Sequence, residues 1–177
     1  MDFLDLGNRA GVDQALSRLV KKKILQRTAR GVYCYPKISR LLGELAPPPA
    51  KVAQAIAKQG AQQLQPTGAS AAHQLGLTEQ VPARVEYLTE GRSRTVLIKR
   101  LPVILRQSTP RQLATAGRIS GSVIQALRFL KRAQVTEETV QTLRARLTPL
   151  QKTQLLKDIP LAPGWMGPIF RQIAAES

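Results

Sequence analysis

The stretch Asn8-Arg9-Ala10-Gly11-Val12-Asp13-Gln14-Ala15-Leu16-Ser17-Arg18-Leu19-Val20-Lys21-Lys22-Lys23, followed by Ile24-Leu25-Gln26-Arg27-Thr28-Ala29-Arg30-Gly31-Val32-Tyr33-Cys34-Tyr35-Pro36, decides how this chain is read. At 3.6 residues per turn, Val12, Leu16, Leu19 and Val20 fall on one side of a helix, the i, i+4, i+7, i+8 spacing of a core-facing stripe. Gln14, Ser17, Arg18 and Lys21 fall on the opposite side. Asn8 is the expected N-cap, and Gly7 suits a tight turn from a short helical segment over Asp2–Leu6. The alternating segment that follows predicts a β-hairpin turning at Arg30-Gly31. Glycine permits positive φ there, and Val32, Tyr33 and Tyr35 suit a strand.

A cationic helix followed by a tight hairpin with arginines near its tip is the layout with which a winged helix-turn-helix holds DNA. The residue types on the polar side of the helix suit a groove. Arginine pairs with guanine and glutamine with adenine through two hydrogen bonds each, while serine and lysine reach phosphate oxygens. Gln14, Ser17, Arg18 and Lys21 are therefore the candidate DNA-binding residues. The alternative is an ordinary amphipathic helix with a solvated basic face. A winged helix-turn-helix carries a further helix ahead of this unit, and Met1 stands almost directly before it. The expectation is thus a truncated domain, its core completed by another part of the chain or by a partner.

The net charge of +16 is the outlying number in the composition, and it is spread along the chain. Lys and Arg exceed Asp and Glu by nine to four over residues 1–46, ten to three over 47–118 and eight to four over 119–177. Such a field attracts polyanions in a strongly salt-dependent way, and it equally suits an acidic protein partner. No apolar run approaches the ~20 residues that span a bilayer, and no signal-like segment opens the chain, so a cytoplasmic location and no membrane partner are expected. Cys34 is the only cysteine, which excludes an intramolecular disulfide and a thiolate metal cluster.

Pro47-Pro48-Pro49 predicts a stiff connector, dividing a basic N-terminal module (residues 1–46) from the rest (residues 47–177). Helices are expected over Pro49–Lys58 and Thr67–Leu75, each ended near a glycine. Val81–Thr89, a turn over Glu90–Ser93, and Arg94–Lys99 read as two strands of an antiparallel sheet, which Val103–Arg106 extends. Thr109-Pro110 starts a helix, with a break over Gly117–Gly121 before Val123–Leu130. Thr136 and Thr148-Pro149 start two more, and a Pro/Gly loop with Trp165 precedes a last helix over Ile169–Ala174.

Residues for catalysis are scarce. His73 is the only histidine and lies in an alanine-rich helix, where a structural role is the ordinary one. Glu86, Glu90 and Lys99 invite comparison with nuclease metal sites, but Glu90 falls in the turn and no Glu-x-Lys pair lies on a strand. Gly117-Arg118-Ile119-Ser120-Gly121 lacks the lysine and hydroxyl of a phosphate loop and reads as a helix break. Arg92, Arg94, Lys99, Arg100, Arg106 and Arg111 form a second cationic cluster, either a binding surface or a solvated face. No enzyme activity, metal or cofactor is expected.

Taken together, Asp2-Phe3-Leu4-Asp5-Leu6-Gly7-Asn8-Arg9, Val12–Leu19, Ala29-Arg30-Gly31-Val32-Tyr33, Gly76–Ala83 and Leu88-Thr89-Glu90-Gly91 resemble a bacterial family of AbiE-type antitoxins, from type IV toxin-antitoxin systems of abortive infection. The resemblance runs from about Asp2 to Leu130. It implies an α/β (α+β) protein: a winged helix-turn-helix, followed by a mixed helical and antiparallel-sheet domain with C-terminal helices. It also implies repression of its own operon through inverted repeats, and protection from a nucleotidyltransferase-like toxin encoded beside it. Gln14, Ser17, Arg18 and Lys21 would then occupy the recognition helix, Arg27 and Arg30 the wing, and the antitoxin surface would lie within residues 51–131. The competing readings are a stand-alone DNA- or RNA-binding transcriptional regulator and, from another class, a metal-dependent nuclease on Glu86, Glu90 and Lys99.

Overall fold

Asn8 caps helix α1 (Arg9–Lys21), its side chain accepting the Gly11 amide at 2.8 Å as the sequence predicts. In the computed structural model, which describes residues 7–41, 43–98 and 101–175, the four stripe residues Val12, Leu16, Leu19 and Val20 are half-buried. Every other residue of α1 is exposed, and none is fully buried. The helical segment expected over Asp2–Leu6 lies outside the described residues.

The hairpin follows as β1 (Gln26–Ala29) and β2 (Val32–Cys34). Ala29 pairs with Val32, which leaves Arg30-Gly31 as a two-residue turn with Gly31 at φ +71°. The register slips between Arg27 and Ala29, a bulge at Thr28 that leaves its hydroxyl bonded to the Cys34 sulfur. A second hairpin, β3 (Lys37–Ser39) with β4 (Gly43–Leu45), was not legible in the sequence and is almost wholly exposed.

The proline run leads directly into α2 (Pro49–Lys58), where Pro49 takes the first helical position. Val52, Ala53 and Ile56 of α2 share a core with Val32 of the hairpin and with Tyr87, Ile98, Val103 and Leu105 of the main sheet. The elements on the two sides of the prolines thus pack on each other. That sheet contains β5 (Leu64–Pro66), β6 (Val85–Thr89), β7 (Arg94–Ile98) and β8 (Leu101–Gln107), in the order β5-β6-β8-β7.

Here the expected antiparallel sheet needs correction. β6 and β7 do not pair: β8 lies between them, parallel to β6 and antiparallel to β7. The segment Glu90–Ser93 is therefore not a hairpin turn but a link that crosses the end of β8, and Ser93 Oγ accepts the Gln107 amide at 2.9 Å. Alternation specifies which residues share a face, but it does not specify which strand is the neighbour.

The remaining helices are α3 (Gly68–Gln74), α4 (Pro110–Leu113), α5 (Ile119–Leu130), α6 (Glu137–Arg146), α7 (Pro149–Lys157) and α8 (Met166–Ala174). Leu75, Val123, Leu127, Leu143, Leu155, Met166, Phe170 and Ile173 build the common core of α3, α5, α6, α7 and α8. Thr136 and Thr148 form the expected helix starts as full capping boxes. The break before α5 ends at Arg118, so Gly121 is inside the helix, and α8 starts at Met166, three residues before the expected Ile169. A buried carboxylate ties α5 to α7. Asp158 pairs with Arg118 at 2.8 Å and accepts hydrogen bonds from Ser120 and, at 3.0 Å, from Gln154. Burial alone would raise its pKa, but the Ser120 and Gln154 hydrogen bonds and the Arg118 charge outweigh it and hold the group below its ordinary value. The fold is mixed α/β.

Candidate nucleic-acid interface

The polar side of α1 is a continuous solvent-facing surface. Gln14, Ser17, Arg18 and Lys21 are all exposed, on the side of the helix away from the half-buried stripe. Spacings of three and four residues keep them in one row about 10 Å long, since each residue rises ~1.5 Å. The helix ends in cations, with Arg18 and Lys21 in its last turn, where the helix dipole favours them.

The junction after α1 carries a conformational cost. The amides of Ile24 and Leu25 both donate to the Leu19 carbonyl, at 3.0 and 3.2 Å, and this turn places Lys23 at φ +59°. Glycine or asparagine usually fills such a helix-terminating position, and a lysine there carries ~1–2 kcal/mol of left-handed strain. The chain holds a third consecutive cation where the backbone favours none. Lys22 and Lys23 are not among the residues expected to bind DNA, and the run Lys21-Lys22-Lys23 is the signal in the sequence that points to them.

The tip of the first hairpin is fixed from behind. The Gln59 side chain, at the end of α2, donates to the Gly31 carbonyl at 2.8 Å, and Val32 is buried beneath it. Arg27 and Arg30 are both exposed on this supported hairpin. The six residues expected to bind DNA thus lie on α1 and on the hairpin that follows it, all of them exposed.

The described members of the second cationic cluster are not brought together. Arg94 is opposite Leu105 in the register, which puts it on the α2 side of the sheet, and it donates to the Ile56 carbonyl of α2 at 3.3 Å. Arg106 is the next residue of β8 and so occupies the other face, paired with Glu86 at 2.8 Å. Arg92 is exposed in the β6–β7 link and Arg111 in α4, while Lys99 and Arg100 lie outside the described residues. The pleat thus puts Arg94 and Arg106, close in the sequence reading, on opposite faces.

The two described members of the candidate nuclease set, Glu86 and Glu90, are in different surroundings. Glu86 is engaged by Arg106, Glu90 is exposed beyond the end of β6, and Lys99 is outside the described residues. Among the described residues no three His, Cys, Asp or Glu side chains are grouped to hold a metal, and no helix is long and apolar enough to cross a membrane. Cys34 is half-buried in β2, and His73 is exposed on α3, its ring Nδ1 3.4 Å from the Thr78 carbonyl. Burial raises the Tyr87 phenol pKa, partly offset by a hydrogen bond with Gln74, and this ring belongs to the α2 core.

A family model described as a family of unknown function (DUF6088) matches residues 1–155. No curated protein and no solved structure matches the chain.

Proposed function

The chain belongs to the DUF6088 family of unknown function, and from the geometry of its N-terminal elements we propose that it is a DNA-binding autorepressor acting as the antitoxin of a toxin-antitoxin pair. The observation that carries the DNA-binding half is the exposed row Gln14, Ser17, Arg18 and Lys21 on α1, followed in the chain by a hairpin whose tip is held by Gln59. In this reading α1 enters the major groove. Arg18 and Gln14 address base edges, and Ser17 and Lys21 position the helix on phosphates. Arg27 and Arg30 of the hairpin, the wing of a winged helix-turn-helix in this reading, reach the flanking backbone. The half-buried stripe of α1 fits a unit whose core is completed on binding or by another copy.

The antitoxin half is supported by the resemblance of residues 2–130 to AbiE-type antitoxins. It is further supported by the separation of the basic helix from a helical body with its own core. The partner would be a nucleotidyltransferase-like toxin encoded beside it.

Gel-shift titrations of the full chain on its own promoter and on random DNA test the first half. Arg18→Ala is expected to lose ~1–3 kcal/mol on the promoter only, and Lys21→Ala to weaken both DNAs alike while lowering the salt slope by about one. Equal losses on both DNAs for Arg18→Ala would remove it as a base reader. Co-expression with the adjacent gene product, scored for growth, tests the second half, and absence of rescue would sink it.

A further inference from the structure

On the face of the sheet away from α2 there is an open groove of about 300 Å³, large enough for one nucleotide, between β6, β8, α4 and α5. Its chemistry differs from the rest of this basic surface. Glu86 and Arg106 line it from neighbouring parallel strands, Gln107 and Gln112 from the end of β8 and α4, and Gln125 and Arg128 from one side of α5.

Glu86 is the unusual member. Its side chain is 16% exposed, and its Oε1 is shut off from solvent with no hydrogen bond aligned to it. The Arg106 guanidinium ion-pairs with that oxygen at 2.8 Å without the geometry of a hydrogen bond, and Arg106 itself is 62% exposed. A buried carboxylate is an acceptor only, and an ion pair that lacks an aligned donor leaves its hydrogen-bonding capacity unfilled even where the charge is balanced. On the same sheet face Gln65, opposite Leu88 and 1% exposed, has a second unpartnered acceptor, its Oε1. This part of the molecule is short of donors, and its two arginines are at the solvent edge.

We propose that the groove binds a guanine nucleotide unit. Guanine presents two adjacent donors, N1–H and the 2-amino group, which match the two oxygens of a carboxylate. Adenine presents an acceptor between its amino group and C2 and would set a lone pair against Glu86. Arg106, released from its poorly aligned contact, and Arg128 then have an anionic phosphate to bind, with the fork geometry that suits one. Gln125, which is buried, forms part of the wall along the base. The groove lies on different elements from α1 and the first hairpin, so this inference stands apart from the DNA-binding reading.

Calorimetric titration of the full chain with 5′-GMP, 5′-AMP and 5′-IMP tests it. GMP should bind at least about tenfold more tightly than AMP, the discrimination expected of one good bidentate pair. IMP lacks only the 2-amino group and should also be weaker than GMP, a comparison that needs no variant and no folding control. Glu86→Gln should bring the GMP/AMP ratio near one, with folding checked by circular dichroism melting. Arg128→Gln, on an exposed residue, should weaken both nucleotides equally. A trinucleotide with one guanine that binds more tightly than GMP would identify the occupant as part of a strand, and one no tighter would identify a free nucleotide. No GMP binding at millimolar concentration, equal affinity for GMP and AMP, IMP equal to GMP, or a ratio unchanged in folded Glu86→Gln would each overturn the proposal.

Discussion

Helices α1 and α5 are nearly the same length, 13 and 12 residues, and have opposite roles in the molecule. α5 buries Ser120, Gly121, Val123, Ile124, Gln125, Ala126 and Leu127, because it passes between the main sheet and the other helices and meets protein on most sides. α1 buries none. Their sequences already differ in this respect: α5 has apolar or small residues around most of its circumference, whereas α1 confines them to one stripe. A helix that invests little in its own fold has its polar side available for another molecule. Segments with few buried contacts are also the ones that open most readily, and functional elements are drawn from them.

The same truncation on each helix gives the largest expected contrast. Leu127 is fully buried in the helical core, so Leu127→Ala should destabilise the protein by ~2–5 kcal/mol in urea unfolding. Leu16 is only half-buried, and Leu16→Ala should cost about 1 kcal/mol or less, since roughly 25 cal/mol is lost per Å² of apolar burial and little area is involved. Equal losses would mean that α1 is part of the cooperative core, and the contrast between the two helices would be gone.

The junction of α5 and α7 sharpens the comparison through pH. Asp158→Asn replaces an acceptor of two side-chain hydrogen bonds and an ion pair with a neutral amide, for an expected loss of ~1–3 kcal/mol at neutral pH. Arg118 is half-exposed, so its own loss of a partner adds little. The folded pKa of Asp158 is depressed, so its contribution is fully present above the ordinary carboxylate pKa and is lost as pH falls through the lower folded value. The stability gap between wild type and Asp158→Asn should therefore close on acidification below about pH 4. A gap that widened in acid would contradict the assigned direction.

These contrasts follow what the chain made legible. The stripe Val12, Leu16, Leu19 and Val20, the Asn8 cap, the turn at Arg30-Gly31 and the capped starts at Thr136 and Thr148 are local features, fixed within one or two turns of sequence. What escaped was non-local. The insertion of β8 between β6 and β7 depends on pairing energies that alternation does not encode. The division of Arg94 from Arg106 depends on register, and the groove around Glu86 joins residues more than forty positions apart. β3 and β4 pair as strands although their residues have little strand character, Ser39 and Gly43 pairing at the end.

The smallest effect falls at the end of α1. Lys23 is at φ +59° in a turn that the Leu19 carbonyl closes by accepting two amides, and a glycine would adopt this geometry without the Cβ clash. Lys23→Gly relieves ~1–2 kcal/mol of strain but gives back part of it, because glycine loses more conformational freedom on folding. The net expectation is a stabilisation of about 0.5–1 kcal/mol, read as a higher urea midpoint with an unchanged slope. If the end of α1 were an ordinary solvated terminus, that gain would carry no penalty. If it approaches the phosphate backbone, removal of the cation should weaken binding to promoter and random DNA alike and lower the salt slope by about one. A protein that becomes more stable and binds DNA less well would place the strain of Lys23 at a working surface. A variant that gains stability with its DNA affinity and salt slope unchanged would leave Lys23 outside the interface, and the contact would then end at Lys21.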